Sequence, residues 1–136
     1  MKAMTLAIFC LMFLPAVFTA CKKETAEAPP TPTDSIEGKW SGKYGFENEA
    51  PSVEYRFNIK PGGIIEELNS GGLAKGSGTW NLTGTLFTAH YKWKSPLNTV
   101  FSVKAAFDKI NGKLSGTWGY DDSETDGGKW SMTKEN

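Results

Sequence analysis

Few residues in this chain carry chemistry of their own: two cysteines, Cys10 and Cys21, a single histidine, His90, and four tyrosines, Tyr44, Tyr55, Tyr91 and Tyr120. His90 sits between Ala89 and Tyr91 on what reads as the outward phase of a strand, and the pattern places no nucleophile or carboxylate beside it. General-base work therefore has no support, and a surface histidine is expected. The run Asp122-Ser123-Glu124-Thr125-Asp126-Gly127 sets carboxylates at alternating positions ahead of a glycine. That order could aim oxygens of Asp122, Glu124 and Asp126 at one calcium ion. It lacks a closing bidentate glutamate, however, and a solvated hairpin tip is the preferred reading. The chain has no phosphate-binding glycine loop, dinucleotide fingerprint, serine-nucleophile motif or zinc spacing, so no cofactor, no metal and no enzyme activity are expected. Any catalysis would have to run through a tyrosine or Glu66.

Fifteen acidic residues balance fifteen basic ones, Arg56 is the only arginine, and the lysines are scattered. Without a basic stripe to meet a phosphate backbone, nucleic acid is not an expected partner. A length of 136 residues leaves room for one folded domain, and fifteen glycines with five tryptophans point away from helical bundles towards tightly turned β-structure.

The first twenty residues differ in kind from the rest. Met1 and Lys2 give a short positive start, an apolar run follows from Ala3 to Val17, and Phe18-Thr19-Ala20 leads into Cys21. This is the pattern of a secretory signal peptide. Its ending resembles the lipobox of bacterial lipoproteins, with Phe18 where leucine is usual. The resemblance implies cleavage before Cys21, acylation of Cys21 and anchorage to a membrane. Because Lys22 stands where inner-membrane retention signals place aspartate, it also implies a bacterial cell-envelope protein of the outer membrane. Cys10 leaves with the signal, so the mature domain holds no free thiol, disulfide or cysteine metal site. Residues 22–33, KKETAEAPPTPT, contain three prolines and no large apolar side chain. Such a segment cannot bury enough to order itself and forms a tether reaching about 40 Å. Asp34-Ser35-Ile36 resembles the O-glycosylation site of Bacteroidetes, although a solvated junction is the preferred reading. The organisation is thus a signal peptide at 1–20, a lipidated cysteine and Pro-rich linker at 21–34, and a folded domain at 35–136.

Period-two alternation predicts eight strands in that domain, at 36–46, 52–60, 63–69, 76–82, 85–94, 99–107, 113–120 and 128–133, each bounded by Gly, Pro, Asn or Asp. In the second, Val53, Tyr55, Phe57 and Ile59 oppose Glu54, Arg56, Asn58 and Lys60, which is the signature of antiparallel sheet with one dry and one wet face. Taking the apolar phase in every strand turns all fourteen aromatics of the domain inward. The third strand, GIIEELN, is the exception, since either phase puts Glu66 or Glu67 inside. Ser41-Gly42-Lys43-Tyr44, Ser77-Gly78-Thr79-Trp80 and Ser115-Gly116-Thr117-Trp118 share the pattern Ser-Gly-x-aromatic, and Gly128-Lys129-Trp130 echoes it. Inward glycine beside an inward ring allows a bend and makes room for that ring. Eight sequential strands with short connections close most simply into an all-β, antiparallel up-and-down barrel without exposed edges, a two-sheet β-sandwich being the alternative.

Gly38-Lys39-Trp40 at the start of the first strand resembles the Gly-x-Trp signature of lipocalins, and the eight-strand count extends the resemblance to lipocalin-like, calycin-type domains of bacteria. Avidin-like barrels and small barrel-shaped periplasmic protease inhibitors have similar outlines. The lipocalin resemblance implies a basic residue of the last strand beside the signature tryptophan, and Lys134 is the candidate.

Running the strands alternately up and down collects Ile36, Ile59, Ile64, Leu82, Phe87, Phe107, Leu114 and Met132 at the end where the chain comes in, and Tyr44, Phe46, Tyr55, Tyr91, Trp93 and Tyr120 at the other. Buried tyrosine hydroxyls need partners, so tyrosines gather where a ring is dry on one side and wet on the other. The connections at the tyrosine end, 47–51, 70–75, 94–98 and 121–127, are also the longer ones. Ordering about a hundred residues is so costly in entropy that little aromatic surface can stay wet. The expectation is therefore a mostly filled barrel with a shallow apolar pocket. Tyr44, Tyr55, Tyr91, Trp93 and Tyr120 would bind a small apolar or aromatic ligand at its mouth, or the loops would recognise an envelope protein. Replacing Cys21 by serine is expected to abolish incorporation of labelled palmitate and to move the protein from the membrane to the soluble fraction; unchanged labelling would refute the lipoprotein reading.

Overall fold

Alternation along each strand decides which side chains can leave water together, and the computed structural model of the chain, which describes residues 35–136, shows the result as eight strands in chain order. They are β1 (Gly38–Tyr44), β2 (Val53–Lys60), β3 (Ile64–Leu68), β4 (Ala74–Thr83), β5 (Leu86–Trp93), β6 (Val100–Asp108), β7 (Lys113–Tyr120) and β8 (Gly128–Lys134). Each pairs antiparallel with the next, and β8 pairs with β1, so the sheet closes into an up-and-down barrel. The sandwich alternative is thereby excluded. The signal peptide, Cys21 and the linker lie outside the described residues.

An eight-stranded barrel has an interior that side chains can just fill, and here aromatic rings do most of the filling. Trp40, Phe57, Phe87 and Trp130 are fully buried together with Ile59, Ile65, Leu114, Met132 and Val103. Rings meet edge to face, as Phe57 does with Trp130 at 5.8 Å and Trp40 with Phe107 at 6.0 Å, the arrangement their quadrupoles favour. The three glycines of the Ser-Gly-x-aromatic pattern occupy equivalent places. Gly42 in β1, Gly78 in β4 and Gly116 in β7 all face inward, and a Cβ on any of them would land on a carbonyl oxygen of the adjoining strand. Neighbouring backbones coil closely over these positions, which is why only glycine fits.

The base of the barrel is shut by the chain that leads into it. Ile36 is buried as a plug, and the fully buried Trp40 donates its indole N–H to the Ile36 carbonyl at 2.8 Å. Lys134, opposite Trp40 in register, donates to the Ser35 carbonyl at 2.7 Å. Ile64, which alternation places at the base, does not join it. Ile65 is the fully buried residue of β3 and Ile64 is exposed, because the strand takes the phase that turns Glu67 inward. Base connections are short, and the turn at 109–112 is tightened by Asp108. Its carboxylate accepts N–H bonds from the Ile110 and Asn111 backbones and from the Asn111 side chain, and these bonds, the side-chain one first, hold its pKa below the ordinary aspartate value.

Gly116→Ala is expected to lower the unfolding free energy by about 2–3 kcal/mol in urea denaturation, since the strands must part to admit the methyl group. Gly71→Ala, in a mouth loop where a Cβ meets only the end of the Asn69 side chain, should stay within about 0.5 kcal/mol of the parent.

Candidate functional site

At the end opposite the base the interior runs out of side chains. Four longer connections, 45–52, 69–73, 94–99 and 121–127, surround an open cavity of about 230 Å³. All four tyrosines line it, with Trp93, Phe101 and Trp118 among the remaining walls. The five residues singled out from sequence, Tyr44, Tyr55, Tyr91, Trp93 and Tyr120, are thus brought together around one space. Tyr120 and Phe46 lie in the inward phase but stay largely exposed, since they stand at the rim where no further strand covers them. The fourteen aromatics share a direction, not a depth.

Beneath the rim the rings pack on one another. Tyr44 meets Tyr55 at 5.3 Å and Trp118 at 5.5 Å, both edge to face, while Phe101 stacks on Tyr91 at 5.4 Å and tilts against Trp93 at 4.7 Å. The loops are tied down from below. Trp118 donates its indole N–H to the Gly45 carbonyl at 2.9 Å, and the Glu47 amide bonds the Gly127 carbonyl, so loops 45–52 and 121–127 form one wall.

The feature that sequence reading did not assign is Glu67. It points into the barrel between Phe57 and Gly76, and its side chain is only 3% exposed. Three local devices make that tolerable. The register of β3 against β4 shifts between Glu67 and Leu68, a bulge that turns Lys75 so that its ammonium reaches Glu67 Oε1 at 2.6 Å. Gly76 has no side chain, and the space a Cβ would need is taken by the Trp93 ring. Across that gap Trp93 Nε1–H donates to Glu67 Oε2 at 2.7 Å. The other four tryptophans donate to main-chain carbonyls, of Ile36, Lys60, Gly45 and Thr117. The signal available in the sequence was the Glu-Glu pair in an otherwise apolar strand, followed by a glycine-rich stretch able to bulge. Choosing between the two acids needed the partner strand. Glu66, the outward one, takes Lys60 Nζ at 2.7 Å and Asn58 Nδ2 at 3.2 Å, and the Lys60 hydrogen bond chiefly lowers its pKa.

Deep in the cavity the Tyr55 and Tyr91 hydroxyls bond each other. Burial pushes both phenols well above their ordinary pKa, and the Glu67 charge adds to the shift in each case. Tyr44 is raised too, by burial first and Glu67 next. The floor is therefore a set of neutral hydroxyls beside one carboxylate.

The remaining candidates fall outside this site. Asp122, Glu124 and Asp126 do not converge: Asp126 Oδ1 accepts the Tyr120 amide at 2.9 Å, Glu124 lies 3.7 Å from Lys104, and Asp122 is exposed. Among the described residues no three His, Cys, Asp or Glu side chains are grouped to hold a metal ion. His90 is exposed on the outer wall, 2.9 Å from Ser102 Oγ through Nδ1, a pairing the sequence pattern did not show. Ser102 Oγ–H donates to the Asp121 carbonyl. Its proton points away from the imidazole, so the pair is not wired as a nucleophile and base.

The sequence matches no protein-family model and no curated protein, and no solved structure matches the chain.

Tyrosinate absorbance should show Tyr55 and Tyr91 silent above pH 10.0, their ordinary pKa, until the barrel unfolds. The native state then keeps protons that the unfolded chain releases, so their contribution to stability is complete below pH 10.0 and is lost as pH rises through the raised values. The double replacement Tyr55→Phe, Tyr91→Phe is expected to flatten that alkaline decline; an unchanged slope in urea midpoint against pH would contradict it.

Proposed function

We propose that the protein is a lipid-anchored protein of the bacterial cell envelope whose barrel binds a small, largely apolar or aromatic molecule at its mouth. The observation that carries this reading is the convergence of Tyr44, Tyr55, Tyr91, Trp93 and Tyr120 on one open cavity at the end away from the chain's point of entrance. A cavity of about 230 Å³ is larger than the ~150 Å³ apolar void that takes up benzene in an engineered core. One ring with a short substituent is the size class that fits.

The signal-like N-terminus, Cys21 and the linker support the envelope address. They would fasten the barrel by its base, with the mouth turned away from the membrane. The lipocalin resemblance gains support from the place of Gly38-Lys39-Trp40 at the barrel's base, where the buried Trp40 has Lys134 opposite it in register. The binding described requires no cofactor and no catalytic step.

A second reading, capture of an envelope protein, is favoured by the rim. Each mouth loop carries an exposed large apolar side chain at or beside it, Phe46, Leu73, Leu97 and Tyr120 among them. Such a ring suits a partner's surface as well as a ligand's path inward. Titrating the protein with one-ring aromatics is expected to change tryptophan emission saturably, because Trp93 and Trp118 line the cavity. Tyr120→Ala should weaken that binding about fivefold, the effect of one partly buried ring. The pair Leu73→Ser, Leu97→Ser should leave it intact while abolishing capture of a protein partner. Emission that stays flat across apolar and aromatic small molecules would refute the ligand reading.

A further inference from the structure

We infer that the mouth cavity selects by charge, and that its ligand is a small organic cation, an ammonium group carried on an apolar body of one ring or a short chain. This rests on the mouth being a ligand site and adds the class of molecule it takes.

Among the described residues Glu67 is the only charged side chain lining the cavity, and everything around it is ring or hydroxyl. Aromatic faces are negative, so the rings and the carboxylate act in the same sense and favour a cation. The protein already places one cation against the outer side of this assembly. Lys75 Nζ sits 2.6 Å from Glu67 Oε1 and 4.3 Å from the centroid of the Trp93 ring, yet Lys75 is not part of the cavity wall and its side chain is 41% exposed. The same carboxylate and the same indole therefore hold a lysine cation and also line the cavity.

Room for a further donor exists on the carboxylate. Two oxygens offer about four lone-pair sites; the Trp93 indole and the Lys75 ammonium take one each and the Tyr91 hydroxyl a third, which leaves about one for a ligand. Phe101 and Trp118 would cover the apolar body. An anionic ligand meets the opposite situation, since among the described residues no lysine or arginine lines the space and its charge would face Glu67 directly. Free carboxylic acids are thereby disfavoured, and neutral aromatics lack the ion-pair contribution.

Three probes of one shape separate these cases: phenethylamine, phenethyl alcohol and phenylacetate, titrated calorimetrically into the intact protein at neutral pH. The amine is expected to bind at least about tenfold tighter than the alcohol, with phenylacetate weakest. Glu67→Gln should erase the difference between amine and alcohol. Lys75→Met removes the competing cation from outside the cavity and should tighten amine binding by about fivefold or more. The lysine variant keeps the test open should the glutamate variant fail to fold. Alcohol binding as tightly as amine, phenylacetate binding tightest, an amine preference that survives Glu67→Gln, or an amine affinity that does not rise in Lys75→Met would each overturn the inference while leaving the mouth a ligand site. No heat with any of the three would overturn both.

Discussion

A carboxylate withdrawn from water must find partners close by, and the upper half of this barrel is arranged around that requirement at Glu67. The bulge between β3 and β4, the glycine at 76, the aim of Lys75 and the tilt of Trp93 all meet at its two oxygens. Its influence extends to the phenols, because the field of a buried carboxylate raises Tyr55, Tyr91 and Tyr44 beyond what burial does. The cavity thus combines dry walls with hydroxyls that stay protonated and one fixed negative group.

The two ends of the barrel solve opposite problems with similar materials. At the base, the indole of Trp40 and the ammonium of Lys134 both bond carbonyls of the incoming chain, so Ile36 can be pressed in as a stopper. At the mouth, Trp118 and the Glu47 amide pin two loops together, but Phe46 and Tyr120 are left without a cover. A closed end with pinned chain and an open end with rings explain why the free volume collects on one side. The glycines of the Ser-Gly-x-aromatic pattern contribute to both, since coiling at Gly42, Gly78 and Gly116 draws the strands tightly enough for rings to span the interior.

Much of this was legible in the chain. Alternation in runs such as Val53–Lys60 and Thr99–Phe107 marks an inner and an outer face, and eight such runs with short connections close into a barrel. The grouping of all tyrosines at one end follows from strand direction alone. What alternation could not settle was β3, where two apolar residues precede two acidic ones and both phases conceal a charge. The phase that puts Ile64 at the base is the wrong one of the two, and Ile65 holds the place. The acidic loop read as a possible calcium cradle because alternating carboxylates converge only if the backbone curls around a point. Here Asp126 is taken by the Tyr120 amide and Glu124 lies near Lys104 on the outer wall.

The class of fold, the number and direction of strands, and the end at which rings and hydroxyls gather are readable from the chain, because a period of two is a local property that any strand imposes on its own residues. That Glu67 faces inward, that Lys75 and Trp93 come to it, and that a cavity remains above it are settled by the assembled barrel. Those facts depend on register, on a bulge and on the side chains missing at glycines of neighbouring strands, and pairing between strands is not written in either strand alone.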